Sequence, residues 1–367
     1  MPRSRFVLAA LAALLPAAAA AQSPVAMLDT VYATTASRAG PLAQLHRSVE
    51  VLDRGAIERR AARSVGELLA GMLGADVQWR SPAQADLALR AGTPGQVLLL
   101  VDGVRQSDIQ TAHFDLDLAV PLDAIERIEV VRGPGSALFG ADAVGGVVNV
   151  ITRRDARAAS ARLSGGSFGT AGASLAAASP VGAGSLRAWA EGERSGGHRA
   201  GTDYRVSQLR VAADHPARGG GRVAVDAGVA LRDFGAAQFY APAPSYERTR
   251  TAQGALRWES ATGPAWSASA VASVRRHTDD FILRRADPAY YRNRHENWQS
   301  TLEGTLRRRL RGDAALALGG ELFDAQLASA RLGDRREQRA ALFTEGSWGS
   351  RDGASLSAGA RADWTST

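Results

Sequence analysis

Past residue 154 the chain settles into one repeated pattern, an apolar or small residue followed by a polar one, in segment after segment. Leu186, Ala188, Ala190 and Gly192 interleave with Arg187, Trp189, Glu191 and Glu193, and Val223, Val225, Ala227, Val229 and Leu231 alternate with polar or small residues. The same holds for Leu302, Gly304 and Leu306 against Thr301, Glu303, Thr305 and Arg307, for Leu316, Leu318, Gly320 and Leu322, and for Leu356, Ala358, Ala360, Ala362 and Trp364. Successive side chains of a strand point to opposite faces, so a period of two marks a sheet whose two faces meet different surroundings. A soluble sandwich alternates in the same way. The length of the segments and their arginine-rich polar face favour lipid on one side and water on the other. At roughly ten residues per strand plus a connection, residues 155–367 hold about eleven strands.

The N-terminus sets the compartment. Arg3 and Arg5 precede the apolar run Phe6 to Leu15, followed by Pro16 and an alanine tract ending Ala19-Ala20-Ala21-Gln22. A basic start, a short apolar stretch and small residues at the cleavage site describe a secretory signal peptide over residues 1–21. The run is shorter than the roughly 20 residues a spanning helix needs, and no later run is longer, so an exported membrane protein of this sequence crosses as a β-barrel. There is no cysteine, which excludes disulfide, thiol and lipid-anchor chemistry. The net charge is +7, but the arginines are spread along strands instead of forming a patch or arm. That distribution fits lumen and rim charge, attracting anionic ligands or lipopolysaccharide, better than nucleic-acid binding.

Residues 41–154 have a different texture, that of a small α+β unit. Val49 and Val51 mark a short strand, Asp53 can cap a helical turn through Arg60, and Ser64 to Glu67 form a capping box. Val65, Leu68, Leu69, Met72 and Leu73 fall at helical spacing, with Gly74 as the stop. Val77-Gln78-Trp79 and Leu87 to Arg90 read as short strands. Val97 to Val101 is an unbroken apolar run too short for a helix, hence a buried strand, and Asp102-Gly103 marks a tight hairpin turn. Ala124 to Val131 alternates, Arg132-Gly133-Pro134-Gly135 breaks the chain, and Ser136 to Gly140 turns. Gly145-Gly146 lets the backbone pass close to a neighbour, and Val147 to Thr152, with Asn149 inside it, is a last strand.

The stretches VDGV and IERIEVVRGPGSALFGADAVGGVVNVITR resemble the plug domain of the TonB-dependent outer-membrane receptors. The resemblance covers most of residues 45–154 and implies a plug, 41–154, inside a transmembrane β-barrel whose N-terminal part is 155–367. It also implies an extension, 22–40, in which Asp29, Thr30, Val31, Tyr32, Ala33 and Thr34 are similar to the TonB box and would pair with TonB by strand addition. Asp102, Gly103, Arg132, Gly133, Pro134, Gly140, Gly145, Gly146 and Asn149 are the structural motif of the plug. Carried over from the family, the loops with Arg80, Ser81 and Gln84 and with Gln106, Asp108, Gln110, His113 and Phe114 face the extracellular side and touch the ligand. Phe239, Tyr240 and Tyr246, in a segment similar to receptors of the cobalamin-transporter type, would pack a bulky ligand.

The resulting expectation is a receptor that binds a scarce nutrient, a corrinoid ahead of a ferric siderophore or haem, and imports it with energy transmitted by TonB and its inner-membrane complex. Because plugged transporters use about 22 strands, about eleven make this a partial receptor. A structural or adhesion barrel would need no plug. An enzyme is not expected. Gly165 to Gly169 has nucleophile-elbow spacing but no strand-to-helix context, and Gly135 to Gly140 lacks the lysine and hydroxyl of a phosphate loop. His46, His113, His198, His215, His277 and His295 form no close metal pair. No cofactor is expected beyond weakly supported calcium at Asp115 and Asp117 or Asp279-Asp280.

Overall fold

The computed structural model describes residues 48–366, except 82, 91, 134, 155–158, 218–219, 240, 262–264, 311–313 and 350–354. The signal segment, the Asp29 to Thr34 segment, His46, Pro134 and Tyr240 lie outside the described residues.

The N-terminal part runs β1 (Ser48–Asp53), α1 (Arg54–Arg59), α2 (Val65–Ala70), β2 (Ala75–Ser81), β3 (Gln84–Leu89), β4 (Val97–Val101), β5 (Val104–Arg105), β6 (Ile125–Arg132), α3 (Ser136–Phe139) and β7 (Gly146–Thr152). Five of these strands form a sheet in the order β1-β6-β7-β4-β5, with β4 and β7 parallel, while β2 and β3 make a separate hairpin. Asp53 caps α1 by accepting the Ala56 N–H, and Ser64 caps α2 by accepting that of Glu67. Two expectations are corrected here. Glu67 does not answer Ser64: its carboxylate accepts the Arg63 N–H at 2.8 Å, one residue upstream of the box. The helix also ends earlier than Gly74, at Ala70 with Gly71 as cap, and Gly74 instead turns the chain into β2 with φ +74°.

Leu68, Leu69, Leu99, Val101, Ile128, Val130, Val148 and Val150 close the core of this unit and are 0–2% exposed. Burying each such side chain contributes about 1.5–3 kcal/mol. At the β4–β5 turn both Asp102 (φ 48°) and Gly103 (φ 82°) are left-handed, the twist-matched type I′ geometry. Gly146 is required on space as well as on backbone. A Cβ there would lie 2.5 Å from the Val131 carbonyl oxygen and 2.7 Å from Leu89 Cδ1.

The C-terminal part is an eleven-stranded antiparallel meander: β8 (Ala159–Gly166), β9 (Thr170–Val181), β10 (Gly184–Ser195), β11 (Tyr204–Ala217), β12 (Gly221–Gly235), β13 (Tyr246–Ala261), β14 (Trp266–Ile282), β15 (Arg292–Arg309), β16 (Ala315–Ser329), β17 (Arg335–Gly349) and β18 (Ser355–Ser366). The count matches the expected eleven. One outward-facing row crosses nine strands without a polar residue: Leu186, Ala213, Val225, Leu256, Ala272, Leu302, Leu322, Ala340 and Trp364 are successive register partners. The inward-facing positions bury Arg187, Arg210, Asp226, Arg232, Thr249, Arg275, His277 and Glu321. Apolar outside and polar inside is the inverse of a soluble sheet and the pattern of a membrane barrel wall. Trp258, Trp266 and Trp348 are exposed toward one end and Trp298 and Trp364 toward the other, as aromatic girdles are. Within the sheet β8 and β18 are edges and do not pair with each other.

Connections at one end of the wall span 182–183, 218–220, 262–265, 310–314 and 350–354; at the other end most are longer, at 196–203, 236–245, 283–291 and 330–334. In membrane barrels the short turns are periplasmic and the long loops extracellular. The sequence Gly165 to Gly169 falls in the β8–β9 hairpin, which removes any nucleophile-elbow geometry.

Candidate functional site

The inner face of the wall is polar because it meets the N-terminal unit, and the seam between them is where the molecule's charged side chains collect. Three clusters stand out among the contacts that hold it. At the β4–β5 turn, Asp102 accepts from the Thr152 amide at 2.8 Å, the Thr152 hydroxyl at 2.7 Å and Arg210 Nη2 at 3.1 Å. Arg210 continues to Asp226 at 2.6 Å, Arg257 pairs with Asp226 as well, and Arg257 Nε donates to the Asp102 carbonyl. The neighbouring Gly103 N–H donates to Asn149 Oδ1 at 3.1 Å, so three residues of the expected motif meet in one turn. Burial pushes the Asp102 carboxyl up, but Arg257, Arg210 and the Thr152 hydrogen bonds outweigh it and hold its pKa below the usual carboxylate range.

The second cluster joins Arg105 to Asp142 (3.0 Å), to Glu321 of β16 (3.4 Å) and to the Phe139 carbonyl. Arg339 of β17 reaches Asp142 at 3.0 Å, and Arg361 of β18 reaches Glu321 at 3.1 Å and the Leu138 carbonyl at 3.0 Å. The backbone passes beneath these guanidiniums at Gly140, where a Cβ would stand 3.3 Å from Arg361 Nε. Elsewhere in the motif Arg132 pairs with Glu50, Gly133 N–H donates to the Gly145 carbonyl, and Gly145 N–H donates to that of Gln96.

The third cluster lies nearest the long loops and contains three of the expected ligand contacts, Asp108, Gln110 and Phe114. Asp108 Oδ2 approaches His277 Nδ1 to 2.7 Å and Arg275 to 3.6 Å, and Phe114 packs on the His277 ring at 4.9 Å. Gln110 donates to Asp279 at 2.8 Å and accepts from Asn297 at 3.1 Å, so it ties β14 to β15. Asp117 accepts from the Thr249 hydroxyl at 2.5 Å, while its carbonyl accepts from Thr251. Burial pushes the Asp108 carboxyl up, and the pull of His277 and Arg275 overcomes it, leaving the pKa below the usual range. Asp115 behaves oppositely. Burial and the neighbouring Asp108 charge raise its pKa well above normal, and its Oδ1 is enclosed without a hydrogen-bond partner.

Few of the expected ligand contacts are presented as a receptor surface. Ser81, Gln84, Gln106, Asp108 and Phe114 are buried. Ser81 and Gln106 bond within their own loops, and Gln84 donates to the His113 carbonyl at 2.6 Å. Arg80 and His113 are 39% and 34% exposed at the side chain, and both contact the buried Asp86 at 2.9 Å, which links the two apical loops. The Arg80 guanidinium lies over the Phe239 ring at 5.6 Å. Tyr246 is misplaced by the sequence reading. Its alternation with the buried Glu247 and Thr249 puts it on the outer wall, where Arg285 and Arg248 lie over its ring at 4.2 and 5.4 Å. Asp279 and Asp280 likewise point to opposite faces of β14, so they cannot share an ion; among the described residues no cluster of three acidic or imidazole groups could hold a metal. The wall residues Thr249 and Arg275 were not singled out from the sequence, and His277 was weighed there only as a metal ligand. The signal for them was their inward parity on strands whose outward positions are apolar.

This arrangement can seat one body inside another through ion pairs and hydrogen bonds that are individually replaceable by water, and can expose two linked loops at the open end. Residues 41–147 match the sequence profile of the TonB-dependent Receptor Plug Domain. Among curated proteins, the iron-regulated outer membrane virulence protein of Vibrio cholerae is 37% identical over 145 residues, 38% of this chain and 22% of that protein. The vitamin B12 transporter BtuB of Vibrio vulnificus is 36% identical over 155 residues, 41% of this chain and 25% of that protein. Similar solved structures include the siderophore receptor PirA of Pseudomonas aeruginosa (TM-score 0.68, 22% identity, 87% of this chain and 56% of that one). Another is FpvA of P. aeruginosa (TM-score 0.73, 12% identity, 91% and 52%). The matched region spans about a quarter of the length of the curated relatives. Residues 41–147 are therefore a TonB-dependent receptor plug, and the strands that follow have the pattern of a membrane barrel wall.

Proposed function

We propose that this chain supplies the plug and one side of the barrel of a nutrient importer in which TonB, engaging Asp29 to Thr34, pulls the plug out of its seat. The observation that carries the reading is the seam itself, where Asp102, Arg105, Asp108, Gln110 and Asp117 of the plug bind the wall through polar contacts. Such contacts cost little to break once water enters, because each is exchanged for hydration. An apolar seam would resist the same force far more strongly. In this reading the protein binds and moves its ligand and is no enzyme.

The ligand we favour is a corrinoid. Support comes from the segment with Phe239, Tyr240 and Tyr246, similar to receptors of the cobalamin-transporter type, and from the vitamin B12 transporter among the relatives. A second reading, an anionic ferric chelate, is favoured by guanidiniums stacked on rings at the long-loop end: Arg80 on Phe239, Arg284 on Tyr290 and Arg331 on Tyr291, together with the iron-regulated relative. Titration of the outer-membrane protein with cyanocobalamin and with a ferric catecholate, read by tryptophan fluorescence, separates the two. Saturable binding of the corrinoid alone supports the first reading, binding of the chelate alone replaces it with the second, and binding of neither removes both.

A further inference from the structure

The misplaced Tyr246 belongs to a line of charge on the outside of the wall. At the long-loop end, Arg194 of β10 is the register partner of Arg205 of β11, Arg205 of Asp233, Asp233 of Arg248, Arg248 of Asp280, and Asp280 of Arg294. All six share the outward parity of the exposed Leu209, Leu231 and Leu256, whereas their chain neighbours Tyr204, Phe234, Glu247, Asp279 and His295 are buried toward the plug. Leu231 is two residues from Asp233, so on β12 the charged row begins ~7 Å beyond the apolar band. That is the level at which lipid headgroups replace acyl chains.

Most of the row is neutralised: Asp233 is held by Arg250 at 2.7 Å and approached by Arg248 at 3.8 Å, and Asp280 is held by Arg292 at 2.5 Å and approached by Arg294 at 3.7 Å. Among the described residues Arg194 and Arg205 have no carboxylate partner, although they stand directly opposite each other, where like charges are destabilising. With Arg285, Tyr246, Phe168 and the carboxylates of Asp203 and Asp233 they line a surface hollow of about 500 Å³, in which three guanidiniums face two carboxylates. Arg285 is fixed there by Asp203 at 2.6 and 3.0 Å and lies over the Tyr246 ring. The sequence contains no lysine, so all 44 basic side chains are arginine. The planar guanidinium fork binds phosphate with two parallel hydrogen bonds, and aromatic faces suit sugar rings.

We propose that this hollow binds the phosphorylated saccharide headgroup of an outer-leaflet glycolipid, with Arg194 and Arg205 clasping the phosphate and Tyr246 and Phe168 bordering the sugar. The row of charge that borders the site lies on the outward face of the wall. Its occupant offsets the Arg194–Arg205 repulsion, so the lipid stabilises this edge of the long-loop end.

The test uses the full chain inserted in phosphatidylcholine vesicles containing fluorescent bisphosphorylated lipid A. Parallel vesicles contain the enzymatically dephosphorylated lipid, and inorganic phosphate serves as competitor. The Arg194→Gln/Arg205→Gln variant removes a repulsive pair and should therefore fold, which heat-modifiability on gels verifies. Arg308→Gln/Arg309→Gln, at the far end of β15, removes the same charge and is the control. We expect lipid binding at least about tenfold weaker in the double variant, unchanged in the control, and dependent on the lipid phosphates. Equal binding by parent and double variant, or equal binding of the dephosphorylated lipid, would overturn the proposal. So would complete displacement of the lipid by inorganic phosphate at low millimolar concentration, which would make this a site for soluble anions.

Discussion

Two aspartates of the plug titrate in opposite directions, and each predicts its own pH dependence. Asp102 has a folded pKa below its unfolded value because Arg257, Arg210 and Thr152 overcome burial. Its contribution is therefore present above the unfolded pKa of about 3.9 and is lost as pH falls through the folded value. Asp102→Asn should cost about 2 kcal/mol at neutral pH, since it weakens the pairing of a fully buried Arg210 that retains Asp226, and the deficit should close on acidification. Asp115 has the reverse sign. With its pKa raised and Oδ1 unpartnered, the folded state gains stability as pH falls through the folded value. Asp115→Asn should then stabilise the plug by about 1 kcal/mol at neutral pH, with the gain shrinking as the native carboxyl protonates. Urea unfolding followed by the emission of Trp189, which is packed against the plug core, measures both. An equal pH response of the two variants would refute the sign assignment.

At the level of elements, most wall strands were legible because period two survives along them, the buried strand Val97–Val101 because its apolar run is unbroken, and the hairpin at Asp102-Gly103 because few dipeptides accept two positive φ values. What was lost is what parity alone cannot carry. Gln110, Asp108 and Phe114 look like exposed loop residues, yet they are consumed by Asp279, Asn297 and His277, partners about 170 residues away. α2 stops at Gly71 and not at Gly74, three residues on, and Met72 between the two glycines is buried in the core. Two substitutions test the elements themselves. Gly146→Ala drives a methyl into the Val131 carbonyl at a positive φ and should cost about 3 kcal/mol or more, unfolding the plug sheet while the wall keeps its strand content by circular dichroism. Leu302→Arg, in the middle of the apolar row, should cost about 2–4 kcal/mol in lipid and reduce the inserted, heat-modifiable fraction. An unchanged fraction would mean that this face does not meet lipid.

For the whole molecule the question is whether the plug must leave its seat for import to occur. The architecture was readable from the plug stretch and the alternation together, but the manner of seating was not, because it depends on which side chains of two separately folded parts meet. Asp117 and Thr249 meet at 2.5 Å, one from the plug and one from the wall, and a disulfide between these positions forms where their Cβ atoms can approach to about 4.5 Å. The chain has no cysteine of its own, so Asp117→Cys with Thr249→Cys introduces a single defined bridge between plug and wall. In cells making the complete receptor, oxidation of this pair should abolish TonB-dependent uptake of the labelled nutrient while leaving surface binding intact, and dithiothreitol should restore uptake. Each single-cysteine variant should transport normally under both conditions. If the bridged protein, verified by its gel mobility, still imports at the reduced rate or faster, then movement at the Asp117–Thr249 contact is unnecessary. The path would have to open on the far side of the plug, along α1, α2 and Asp123, where Arg162 and Ser174 provide the seam instead.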